Sequence, residues 1–84
     1  MEEKLPGRPI KIIKSVENKN SGVFSEEVYK VCPNDKEALR TLKEIEKVLV
    51  ADVNYELVHP LKDYSAVSFM NVHTQEEIRF FTED

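Results

Sequence analysis

One capped amphipathic helix in the middle of the chain constrains the fold more than any other feature. Pro33-Asn34-Asp35-Lys36-Glu37 sets an asparagine at an N-cap with a glutamate three residues on, the spacing at which each side chain satisfies an orphan backbone donor. Leu39, Leu42, Ile45, Val48 and Leu49 follow at helical spacing, with Arg40, Lys43, Glu44 and Lys47 on the wet side. The pattern predicts a helix over Asp35–Leu49. Such a stripe cannot bury itself, so Leu39, Leu42, Ile45 and Leu49 need a sheet to rest on. The remainder of an 84-residue chain has to supply that sheet, with room for a single core.

The flanking segments read as strands. Pro6, Gly7 and Pro9 break regular pairing, so residues 1–9 form an N-terminal tail and residues 10–84 one α+β domain. Ile10–Val16 alternates, with Ile10, Ile12 and Val16 on one face and Lys11, Ile13 and Ser15 on the other. Glu17–Gly22 is turn chemistry. Val23–Cys32 is the second strand, an antiparallel neighbour of the first. Asp52–Val58 is a third, stopped by His59-Pro60. Lys62-Asp63-Tyr64 is a loop, and Ala66–Val72, apolar on parts of both faces, is a central strand. Thr74-Gln75-Glu76-Glu77 reads as a capping box opening a short second helix that buries Ile78 and Phe81. The rival reading makes it a hairpin loop, with a last strand over Ile78–Thr82.

From Val28 onward the order is strand, helix, strand, strand, helix, a split β-α-β unit without its last strand. The expected fold is a four-stranded antiparallel sheet with helices on one face. It is ferredoxin-like, with the edge strand supplied by the N-terminus.

Two families share features with this layout. Val28-Tyr29-Lys30-Val31, Asp35, Leu39 and Leu42-Lys43-Glu44-Ile45-Glu46, continuing through Asp52, His59-Pro60, Val67, Phe69 and Phe80-Phe81, resemble the activation segment of pancreatic-type metallocarboxypeptidases. The resemblance spans Val28 to Asp84 and implies a ferredoxin-like domain that caps and inhibits an enzyme. It implies no catalytic residue. Lys62–Phe69, with Tyr64, Val67 and Phe69 in matching places, resembles the octapeptide of the RNA recognition motif, and Val28–Val31 its hexapeptide, with Tyr29 at the stacking position. Ala66 replaces the middle aromatic and Asp63 the glycine, which removes a ring and adds a negative charge where a base would stack.

Composition narrows the function classes. Twelve basic and sixteen acidic residues give a net charge of −4, which argues against a polyanion binder. The charge is uneven: residues 1–50 hold ten basic and nine acidic side chains, residues 51–84 two and seven. No apolar run is long enough for a membrane span, and Met1–Gly7 lacks the apolar core of a signal peptide, so the expected location is cytoplasmic and no membrane partner is expected. Cys32 alone cannot form an internal disulfide and reads as a small buried side chain rather than a nucleophile. His59, His73 and Cys32 are too far apart in sequence for the close ligand pairs of a structural zinc site. Gly7 and Gly22, the only glycines, build no phosphate-cradling loop. Neither catalysis nor a cofactor is expected.

What remains is surface. In a two-layer fold one sheet face has no helix over it, and Ile13, Phe24, Val28, Val58, Met70 and Val72 are candidates for that face, or their opposites if the register is inverted. The expected function is a non-catalytic protein-binding module, an inhibitor or regulator docking through its sheet face or edge, with Phe24, Val28, Tyr29, Phe69 and Met70 as contact residues. A homodimer is the alternative use of the same surface. The runner-up class is a nucleic-acid-related protein, either a degenerate RNA-binding domain or an acidic nucleic-acid mimic.

Overall fold

The computed structural model describes residues 9–61 and 66–83. The elements are β1 (Ile10–Asn18), β2 (Phe24–Cys32), α1 (Asp35–Val50), β3 (Tyr55–His59), β4 (Ala66–Asn71) and β5 (Glu76–Glu83). The five strands form one sheet in the order β2-β1-β5-β4-β3, with every neighbouring pair antiparallel. Residues 1–8 of the tail assigned to 1–9, and the loop assigned to Lys62–Tyr64, lie outside the described residues.

The helix forms where its cap demands. Asn34 Oδ1 accepts from the Glu37 backbone N–H at 2.9 Å, and Asp35 and Glu37 at the start and Lys47 at the end complement the helix dipole. Its buried stripe is Ala38, Leu42 and Ile45, with Leu49 half-buried beside it. Leu39 is displaced from the centre of that stripe to its margin. α1 leaves the β2 edge and returns the chain to the β3 edge, so it must cross the whole sheet. Sixteen helical residues reach about 24 Å, and five strands span about 19 Å. One helix is therefore long enough to roof the sheet from edge to edge.

Under that roof, Ile10, Ile12, Cys32, Val67, Phe69, Ile78 and Phe80 close on Ala38, Leu42 and Ile45 to form the core. Phe69, Ile12, Leu42 and Val67 are its largest fully enclosed apolar side chains.

The four-stranded, two-helix expectation is overturned. Residues 76–83 are a strand, not a helix, and β1 sits inside the sheet between β2 and β5 rather than sealing an edge. The physical cause lies at the β4–β5 turn. Asn71 Oδ1 accepts from the His73 and Thr74 N–H groups at 2.9 and 3.1 Å, closing a turn that Gln75 completes at φ 63°. Thr74, the cap residue of the apparent capping box, donates its hydroxyl to Glu76 at 3.2 Å on the exposed side of that turn. Ile78 and Phe80 then fall on one face at a period of two. β1 is interior because it carries isoleucine on both faces: Ile12 under the helix and Ile13 on the opposite side are both buried. A two-helix ferredoxin-like sheet is thus replaced by a five-stranded sheet under one helix. The third strand also starts later than expected, because Asp52 Oδ1 takes the Asn54 N–H into a turn.

Candidate functional site

The sheet face away from α1 follows from register, since residues directly opposite in an antiparallel pair share a face. Four apolar residues line up across it: Val28 opposite Ile13 on β1, Ile13 opposite Phe81 on β5, and Phe81 opposite Ala66 on β4. Phe24 lies on the same face of β2, opposite Glu17, and Met70 on the same face of β4, opposite Glu77 and Glu56. Val31, opposite Lys11, extends the apolar side chains along β2. Burial falls along this row toward the edge: Ile13 is enclosed, Phe81 and Ala66 are half-buried, and Val28 is 52% exposed.

Charge rims the row. Glu17, Glu26, Glu56, Glu77 and Glu83 share the face with Lys11 and Arg79. Lys19, in the β1–β2 turn, reaches Glu17 at 3.2 Å and Glu77 at 3.0 Å, and these carboxylates hold its ammonium above the ordinary lysine pKa, Glu77 first. A shallow recess of about 220 Å³ beside them is lined by Ser15, Glu17, Phe24, Glu77 and Arg79. Its single guanidinium faces two carboxylates, so it is a poor seat for an anion. Ser68, between Arg79 and His59 in the same cross-strand row, has a buried hydroxyl with no hydrogen-bond partner among the described residues.

The expected contact residues divide three ways. Phe24, Val28 and Met70 share the open face. Phe69 does not: it is fully buried beneath α1, one residue from Met70 and so on the opposite face, and it is a core residue rather than a docking one. Tyr29 is turned away by a bulge. β2 pairs Lys30 with Ile12 and Val28 with Ile13, leaving Tyr29 as the extra residue. Its ring packs edge-on against Phe80 at 5.2 Å on the helix side. There it lines an apolar recess of about 290 Å³ with Glu44, Ile45, Val48, Leu49 and Phe80. Residue reading missed Phe81 and Ala66, because their place in the row depends on β5 being a strand next to β1.

The remaining chemistry-bearing groups do not converge. Cys32 is buried in the core, its sulfur 3.7 Å from the Thr41 hydroxyl. His73 is exposed, with Nε2 3.0 Å from Asn54 Oδ1, tying the β4–β5 turn to the loop before β3. Among the described residues no three His, Cys, Asp or Glu side chains group as metal ligands, and no helix is long and apolar enough to cross a membrane. A scan against protein-family models finds no match, and neither do searches of curated proteins and of solved structures.

Proposed function

We propose that this chain is a non-catalytic, cytoplasmic protein-binding module, an inhibitor or regulator that docks a partner on its open sheet face. The observation that carries the reading is the Val28–Ile13–Phe81–Ala66 row, flanked by Phe24 and Met70 on a face that α1 does not cover. A row of apolar side chains within a charged rim is the usual composition of a recognition patch. Among the described residues that face sets five glutamates against Lys11, Arg79 and the Lys19 that pairs with two of them, an acidic balance that favours a partner with an apolar contact ridge and basic flanks. The same balance disfavours a nucleic-acid backbone there.

The test is affinity capture from the native cell with three baits: the unaltered chain, Phe24→Asn/Met70→Gln, whose neutral side chains add no charge opposite Glu17, Glu56 or Glu77, and Lys43→Glu on the outer side of α1. The double variant is expected to lose the captured partner while its melting temperature moves little, because both residues sit on the uncovered face. Lys43→Glu is expected to retain it. Capture that survives the open-face variant but fails with the helix variant would move the docking surface to the other side of the molecule.

A further inference from the structure

The β2 edge has a feature the open face does not: its charges match its own strand run in reverse. β2 is nine residues long, pairs only with β1, and so leaves its outer backbone groups without a strand partner among the described residues. Long edges of this kind are templates for strand addition, and proteins that avoid it place like charges or kinks there. This edge has one such kink, the Tyr29 bulge, which any pairing has to accommodate, but it carries Glu27 and Lys30 of opposite sign, both exposed and both on the helix side, since Glu27 lies opposite Lys14 and Lys30 opposite Ile12.

We propose that two copies of the chain pair through β2 in antiparallel fashion about a two-fold axis at Val28, making a continuous ten-stranded sheet. Placing Val28 opposite its symmetry mate, with Tyr29 left out of register on each strand as it already is against β1, sets Glu27 opposite Lys30 of the second copy, twice by symmetry. Faces agree in this register: Glu27 and Lys30 are both on the helix side, and Val28 meets Val28 on the open side. Shifting the axis to Glu27 would oppose two glutamates, and shifting it to Lys30 two lysines. The Val28 pairing also gives the apolar row a continuation. The row reaches the edge at its most exposed member, and a second copy prolongs it through Val28, Ile13, Phe81 and Ala66 of that chain. The pairing shares Val28 with the docking row, but Glu27 and Lys30 lie on the other side of the sheet, so reversing their charges tests the pairing without altering the docked face.

The experiment is sedimentation equilibrium of the full chain over a wide concentration range, with Glu27→Lys, Lys30→Glu and the double swap. The unaltered chain is expected to reach dimer mass. Each single reversal brings like charges together twice per dimer and is expected to weaken association by about tenfold or more. The double swap restores opposite charges and is expected to recover it. Melting temperatures of the three variants, read under monomeric conditions, check folding independently. A monomer at every concentration overturns the proposal. So does a dimer indifferent to both single reversals, or a double swap that stays as weak as the singles.

Discussion

Lys19 shows how much a single exposed side chain can link. From the β1–β2 turn it bridges Glu17 on β1 and Glu77 on β5, two like charges that the ladder sets directly opposite each other. The folded chain binds its proton more tightly than the unfolded chain does, because the hydrogen bond to Glu77 and then that to Glu17 favour the ammonium. A raised folded-state pKa stabilises at every pH below the unfolded value and loses that contribution as pH climbs through the folded one. Replacing Lys19 by methionine is therefore expected to lower the melting temperature slightly at neutral pH, less in high salt. The gap between the two proteins should close only in strongly alkaline buffer. A gap that stays constant past that range would mean the lysine acts through packing of its stem rather than its charge.

Turns decide which elements exist. The β1–β2 connection is built by Asn18, whose Oδ1 accepts from the Asn20 and Ser21 N–H groups, and by Gly22 at φ 78°, where a residue without a Cβ is at ease. The β4–β5 connection uses Asn71 in the same way but places Gln75, not glycine, at φ 63°. An L-residue in that region is strained by about 1 kcal/mol or more. Gln75→Gly is expected to raise stability by about 0.5 kcal/mol in denaturant titrations, part of the relief being offset by the looser unfolded chain. A loss of stability would show that the Gln75 side-chain bond to the Val72 carbonyl, at 3.2 Å, outweighs the strain. The Asn34 cap, by contrast, was legible directly, since an N-cap bond is satisfied within four residues.

At the scale of the molecule everything hangs on β5, the single strand that joins the β1–β2 hairpin to the β3–β4 hairpin. A chain ending at Gln75 keeps both hairpins and the helix in sequence but has nothing between them. It is expected to lose its cooperative melting transition and its dispersed amide spectrum. A truncated chain that still unfolds sharply would mean that α1 alone holds the two hairpins together.

The sequence alone left the open face between Ile13, Phe24, Val28, Val58, Met70 and Val72 and their opposites, a choice the register makes, but it determined what local rules reach: the span of α1 to within a residue at its end, and the β1–β2 pairing. Each follows from a period of 3.6 or 2, or from a cap or turn closed by neighbours. Where residues 76–83 lie was decided by tertiary structure. Thr74–Glu77 reads in isolation as a helix start or a hairpin, and the turn closed by Asn71 together with the space between β1 and β4 selects the strand. That choice moved β1 inside and added Phe81 to the row. The Tyr29 bulge belongs to the same class, because an extra residue on one strand is defined only against the partner it fails to match.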